Sequence, residues 1–275
     1  MINFIKHTLL ERFMESPRYE YEQLNGRVLS NSIIPDDLIS KIFEYLPRKD
    51  ILKARLVCKN WDTLSVETIH HLYQTRFHKS TENLSLRYLI IRLYGNVFNR
   101  NLLQNVNGET KFKHWKILWN DGDKFKIENP PSGSPPLPDA PEFKGHTSCF
   151  ATSYRPCEKI QVVDTSGDDD VGFVMKHRVT VHASEWVCAR FDCGAAYWVK
   201  LSLKGKDGTV QEVVGEHREE QWCNPEWKKI VLDIDSNSAN VESIEFRHCG
   251  QDTQFWAGHY GMKMAGAVVK LIPID

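Results

Sequence analysis

No stretch of this sequence approaches the roughly 20 apolar residues needed to cross a bilayer, so a membrane-spanning helix is not expected. Its opening, Met1 to Met14, carries an apolar stripe (Ile2, Phe4, Ile5, Leu9, Leu10, Phe13), but Lys6, His7, Glu11 and Arg12 interrupt it. A secretory signal needs a continuous apolar run, so the cytoplasm is the expected compartment. The seven cysteines (58, 149, 157, 188, 193, 223, 249) are odd in number and form no Cys-x-x-Cys pair, the pattern of reduced thiols rather than a disulfide framework. With 35 basic and 36 acidic residues the net charge is −1, which provides no broad field for nucleic acid or anionic membrane. A Gly-x-x-x-x-Gly-Lys-Ser/Thr phosphate loop and a Gly-x-Ser-x-Gly nucleophile elbow are both missing, so no common catalytic signature competes with a binding role.

What is present divides into two textures. At 275 residues the chain suits two ordinary domains. From Ile33 to about Leu93 apolar residues recur at helical spacing: Leu38, Ile42, Phe43 and Leu46, then Ile51, Leu52 and Leu56, then Leu64, Ile69, Leu72 and Tyr73. Ser32, Asp36 and Asp50 are candidate N-caps, with Pro35 suited to a first turn. Beyond about Asn101, short alternating runs take over, among them Val179 to Ala183, Tyr197 to Leu203, Lys229 to Ile234, Val241 to Phe246 and Ala267 to Ile272. Turn signals such as Lys206-Asp-Gly-Thr separate them, which points to an antiparallel sandwich rather than βαβ units. Six prolines between Asn129 and Pro141 mark an exposed loop or short extended excursion, and Trp115 and Trp119 before it are expected in the β core.

The segment from Ile33 to Trp61 resembles the F-box. It has the opening Pro35-x-x-Leu38, the Leu46-Pro47 before the second helix, Asp50-Ile-Leu in that helix, and Arg55-Leu-Val-Cys-Lys-x-Trp61 at its end. That resemblance implies docking on the S-phase kinase-associated (Skp) adaptor, and through it on the cullin and RING subunits of an SCF ubiquitin ligase. A module of about 40 residues buries only a thin core, so leftover apolar surface gains by covering against a partner. Ile34, Pro35, Leu38, Ile42 and Leu46 are the candidate adaptor-binding residues.

The second half, from about Asn101 to Ile272, resembles the F-box-associated domain of the sugar-recognising F-box proteins. Four blocks carry the likeness: Arg100-Asn-Leu-Leu-Gln-Asn with Gly108; Phe150-Ala-Thr-Ser-Tyr with Cys157-Glu-Lys-Ile-Gln-Val-Val-Asp164; Glu185-Trp186 with Asp192-x-Gly194; and Phe246 to Gly261. The fold implied is α+β and multidomain: a 1–31 extension, a three-helix F-box over 32–78, a 79–98 helical linker, and a galactose-binding-like jelly-roll sandwich over 99–275. Glycan-binding relatives grip the inner chitobiose of an N-glycan with an aromatic pair, an aspartate and a lysine on loops at one end of the sandwich. Aromatic rings stack on the apolar face of a pyranose, while carboxylates and amides take its hydroxyls. Position by position the resemblance implies glycan-binding roles for Tyr154, Asp192, Phe255 and Trp256. In the resemblance Phe255 stands at a position that is usually tyrosine, and Ala257 at one where the best-known sugar binder has lysine and other members, some of them glycan binders, have alanine.

Other chemistry is not supported. A glycosidase pairs two acids about 5–10 Å apart, and Asp192 has no convincing second. The run Asp168-Asp-Asp170 reads as a solvated turn. Cys188, Cys193, His248 and Cys249 lack zinc spacing, so neither a metal nor a cofactor is expected. The expected function is a non-catalytic substrate receptor for misfolded high-mannose glycoproteins in endoplasmic-reticulum-associated degradation. A sandwich that reads a protein surface without glycan is the alternative.

Overall fold

The computed structural model describes residues 26–29, 32–98, 100–236 and 240–274. The stripe between Met1 and Met14 lies outside the described residues. The chain divides into two compact units, Met1–Asn96 and Val97–Asp275.

In the first unit a short bridge, β1 (Val28–Leu29) with β2 (Ser32–Ile33), precedes helices α1 (Asp36–Phe43), α2 (Arg48–Ala54), α3 (Lys59–Phe77) and α4 (Leu86–Tyr94). Pro35 and Pro47, not Ser32, Asp36 or Asp50, occupy the N-cap positions of α1 and α2. Ser32 is held in the bridge, and the Asp36 carboxylate is engaged elsewhere: it accepts from Arg27 Nε at 2.9 Å and from Asn60 Nδ2 at 3.0 Å. The Arg27 bond in particular holds that carboxyl below its usual range. The second helix ends at Ala54, so Trp61 belongs to α3, where its ring meets Phe43 edge-on at 5.3 Å. Ile39, Phe43, Ile51, Leu52, Leu64, Ile69, Tyr73, Leu89 and Ile90 form the core, with Ile34 and Leu46 packed against it. Leu56, expected inside, is exposed, as are Leu38 and Ile42, which lie one turn apart on α1.

The second unit is a sandwich of two five-stranded antiparallel sheets. One has the order β10-β7-β12-β5-β4 and the other β3-β6-β11-β8-β9. The strands are β3 (Lys116–Asn120), β4 (Lys126–Glu128), β5 (Cys149–Ala151), β6 (Cys157–Asp164), β7 (Val179–Cys188), β8 (Ala195–Gly205), β9 (Gly208–Glu219), β10 (Lys228–Ser236), β11 (Ser243–Asp252) and β12 (Lys263–Pro273). Lys206 and Asp207 turn the β8–β9 hairpin between Gly205 and Gly208, as the turn signal requires. Asn101 patches the bulge in β12 by donating to the Ala267 carbonyl at 2.7 Å and accepting from Val269 N–H at 2.9 Å. The residues from Asp168 to Asp170 are not a free turn. Asp168 caps helix α5 (Asp169–Val174), accepting from Asp170 and Val171 N–H, and pairs with Arg100.

The sandwich interior holds charge. Lys159, fully buried, lies with its Nζ 3.6 Å from the Trp115 ring centre and 3.7 Å from that of Phe150. It meets His248 Nε2 at 2.5 Å; His248 Nδ1 meets Glu185 Oε2 at 2.5 Å, and the Tyr197 hydroxyl donates to that same oxygen. Burial pushes Lys159 down to about 7 and His248 down to about 4, so a neutral imidazole links the two. Trp115 is buried as expected; Trp119 is instead 57% exposed, on edge strand β3. All seven cysteines are free thiols; burial raises Cys149, Cys188 and Cys249 to about 12, leaving them poor nucleophiles.

Candidate ligand site at the sandwich apex

Strand register determines which loops meet. Asn120 pairs with Cys157, and Cys157 with Gly250; Asp252 pairs with Ala195; Lys263 pairs with both Cys188 and Ala151, and Ala151 with Lys126. These strand ends therefore share one end of the sandwich, and so do loops 121–125, 152–156, 189–194 and 253–262. Backbone and hydroxyl bonds join the loops: Ser153 Oγ donates to Asp121 O at 2.9 Å, Asp252 N–H to Ser153 O at 2.9 Å, and Thr253 N–H to Gly194 O at 2.9 Å.

The four expected site residues all lie on these loops, in two contact groups. Tyr154 and Phe255 form one, their ring centres 6.0 Å apart at 53°. Gly122 backs this pair: its φ is +64°, and a Cβ there would sit 2.7 Å from Ser153 Oγ and 3.1 Å from the Tyr154 ring. Arg155 adds a guanidinium 5.8 Å from the Phe255 ring centre. In the second group Trp256 meets Tyr260 edge-on at 5.8 Å, and Arg190 lies 4.6 Å from the Tyr260 ring centre. Arg190 in turn grips both Asp192 oxygens, at 2.9 and 3.1 Å. That bond holds the Asp192 carboxyl below its usual range and raises the guanidinium.

Asp252 shapes the loop that presents Phe255. It is 1% exposed, and its Oδ1 accepts from Gln254 N–H at 3.0 Å and Phe255 N–H at 2.6 Å. This local turn holds Phe255 in the left-handed region at φ +61°, with the residue 67% exposed. Asp252 Oδ2 has no hydrogen-bond partner among the described residues, and burial raises this carboxyl above its usual value. Across the apex the Asp123 carboxylate accepts from Gly258 N–H at 2.5 Å, and its carbonyl lies 3.0 Å from His259 Nε2. Beneath lies a buried ion pair, Lys263 Nζ to Glu128 Oε2 at 2.9 Å, close in distance but outside hydrogen-bond direction.

Arg190, Tyr260, Asp123 and Arg155 are apex residues that the sequence reading missed. The spacing Arg190-x-Asp192 was a usable signal for the first. The proline-rich stretch is more than an exposed excursion. Pro131 is buried, Gly133 O accepts from Phe191 N–H at 3.0 Å, and Ser134 Oγ donates to Ala189 O at 2.8 Å, which braces the Arg190 loop.

A helical unit followed in sequence by a two-sheet sandwich with a loop-built apex defines a two-unit modular class of protein. Comparison with known proteins gives the family. The F-box associated region matches residues 94–271, and an F-box-like match covers 32–79. The chain therefore belongs to the F-box associated family and is an F-box protein carrying that domain. Relatives include F-box only protein 6 of Mus musculus, 29% identical over 86% of this chain and 81% of the relative. F-box only protein 44 of Homo sapiens is 27% identical (87% and 96%), and F-box only protein 27 of Mus musculus is 26% identical (88% and 91%). Among solved structures, a carbohydrate-binding module in complex with β-1,4-galactotriose aligns at TM-score 0.37, with 16% identity over 62% of this chain and 97% of that one. A xylan-binding domain from Paenibacillus barcinonensis aligns at 0.39, with 12% identity over 64% and 97%.

Proposed function

We propose that this chain is the substrate-recognition subunit of an SCF-type ubiquitin ligase in the cytoplasm. Its helical unit docks on the Skp adaptor through Ile34, Pro35, Leu38, Ile42 and Leu46. Its apical loops bind the inner chitobiose of high-mannose N-glycans on misfolded proteins bound for endoplasmic-reticulum-associated degradation.

The observation that carries this reading is the apex itself. It presents flat rings (Tyr154, Phe255, Trp256, Tyr260) next to a carboxylate and a guanidinium (Asp192, Arg190), the side-chain types that hold a pyranose by stacking and by hydroxyl bonds. Arg190 and Arg155 supply cationic donors to loops where Ala257 supplies none. No residue of the chain need perform chemistry. Ubiquitin transfer belongs to the partners, and the receptor raises the effective concentration of client lysines near them.

Titration of the full chain with chitobiose and with high-mannose glycan tests the proposal, with Trp256→Ala and Asp192→Ala alongside. Loss of binding in both variants supports it; no binding by the folded parent at millimolar ligand refutes it. A second reading, in which the apex grips a protein surface without sugar, is favoured by the exposed Phe255 side chain. Glycan that fails to displace a bound client would support that second reading.

A further inference from the structure

The outward face of the β3-β6-β11-β8-β9 sheet carries a feature that the apex does not use. Strand pairing places Trp119 opposite Glu158, Glu158 opposite Cys249, Cys249 opposite Trp198, and Trp198 opposite Glu216. These five residues make one row across five strands. Their neighbours Lys159, His248 and Tyr197 point the other way, into the buried network, so the row faces outward. A groove of about 830 Å³ runs along it, floored by Ala196 and Cys249 and flanked by Trp119, Trp198, Arg155 and Gln251. Arg155 also lies against Phe255, so the groove is continuous with the apex.

We propose that this groove is a second carbohydrate subsite, which takes the neutral hexose residues beyond the chitobiose held at the apex; it rests on the glycan reading of the apical loops. Three features favour an oligosaccharide. First, Trp119 is an exposed indole platform, while Trp198 is held in place by the Arg247 guanidinium 5.4 Å from its ring centre. Second, the lining charges are balanced, with Asp121, Glu158 and Glu216 against Arg155 and Arg218, and with Arg247 pairing Glu158. A charge-neutral, hydroxylated ligand suits such a lining better than an anionic polymer does. Third, β6, β11 and β8 each pair on both sides, so their backbones have no free ladder to offer an extended peptide. Trp119 and Trp198 stand three strand spacings apart, roughly 14 Å. A ligand that touches both is therefore longer than one sugar ring.

The test titrates the full chain with chitobiose and with a high-mannose oligosaccharide ending in the same chitobiose, using the parent, Trp119→Ala, Trp119→Phe and Trp256→Ala. The expected result is that Trp119→Ala weakens the oligosaccharide about tenfold and leaves chitobiose unchanged. Trp119→Phe restores most of the loss, and Trp256→Ala weakens both ligands. If Trp119→Ala alters neither affinity while the parent binds chitobiose, the groove proposal falls and the apex reading stands. Oligosaccharide binding that depends on Trp119 without any chitobiose binding removes the apex reading and overturns the proposal that the groove extends an apex-held chitobiose. If neither ligand binds the parent, both fall. A glycan-free unfolded polypeptide that binds the parent but not Trp119→Ala overturns the carbohydrate assignment.

Discussion

Replacing Asp252 separates the loop that displays Phe255 from the rest of the sandwich. Its Oδ1 accepts two backbone N–H groups, Gln254 and Phe255, and a hydrogen bond to a charged acceptor contributes about 1.5–3 kcal/mol. Against this, Phe255 holds a left-handed backbone that costs a non-glycine residue roughly 1–2 kcal/mol. The carboxylate is also buried with Oδ2 unpartnered, and that desolvation raises its pKa. Asp252→Ala removes the two bonds and the desolvation together, leaving a net local loss of about 1–3 kcal/mol. The loop then relaxes out of the left-handed conformation and Phe255 leaves Tyr154. Asp252→Asn keeps a carbonyl oxygen at the Oδ1 position and sheds the buried charge, so it is expected to match the parent at pH 7.

Hydrogen exchange at the Gln254 and Phe255 amides is the direct assay, with chitobiose titration as the functional one. Protection at both amides should collapse in Asp252→Ala and persist in Asp252→Asn, and chitobiose affinity should fall about tenfold only in the alanine variant. Because burial raises this carboxyl, its charge opposes folding at neutral pH and that cost lifts as the pH falls through the raised value; the asparagine variant should lack this contribution. Unchanged protection and affinity in Asp252→Ala would refute the reasoning.

Other outcomes follow from the same geometry. Lys159 and His248 are bases held low, at about 7 and about 4 against ordinary values of 10.5 and 6.5. The unfolded chain therefore binds more protons across both intervals, and their contribution to stability rises with pH from 7 towards 10.5 and from 4 towards 6.5. Lys159→Met should flatten the upper interval in urea midpoints taken from pH 7 to about 9.5; an unchanged slope would count against the buried amine. Gly122→Ala forces a side chain into a left-handed position against Ser153 and Tyr154, so it should cost roughly 1–2 kcal/mol in denaturant unfolding and weaken chitobiose binding. Leu38→Lys with Ile42→Lys alters two half-exposed side chains and should change stability by no more than about 0.5 kcal/mol while abolishing copurification with the Skp adaptor. Ile34→Ala and Leu46→Ala touch the helical core, so they should lower the unfolding midpoint as well.

How much of the fold could be read from the sequence depended on whether local pattern or tertiary pairing decided the element. The strands from Val179, Tyr197, Lys229 and Ala267 alternate clearly and are present, each extended by a few residues. Strand β9 is hard to read because Gly208 to Glu219 mixes its three valines with two glycines and five charged or amide residues without clear alternation, and its pairing with β8 makes it a strand. Trp119 reads as core by composition, yet β3 is an edge strand and its register sends that indole outward. Ser32, Asp36 and Asp50 carry the chemistry of N-caps, but tertiary partners claim Asp36 and the prolines fix both helix starts. The buried charges were illegible for a related reason. Glu158 and Lys159 are consecutive, either could face inward, and the pairing of β6 with β11 selects Lys159.

The apex was legible in its parts and not in its wiring. Tyr154, Asp192, Phe255 and Trp256 came from resemblance, which transfers positions, whereas a binding site depends on where charge and flat surface end up. Ala257 supplies no cation, and nothing local in the sequence points to Arg190 as one, because it lies seventy residues from Tyr260. In three dimensions the guanidinium lies over the Tyr260 ring and holds both Asp192 oxygens. The proline-rich stretch from another sheet edge steadies it through Gly133 and Ser134. A cation fixed in this way differs from a flexible lysine: its planar fork is already engaged, so it orients the aspartate and meets a ligand hydroxyl with little further ordering. The apex therefore trades the reach of a lysine for a preset guanidinium–carboxylate pair. That exchange suits a neutral, hydroxyl-rich ligand, which needs fixed donors and acceptors and not net charge.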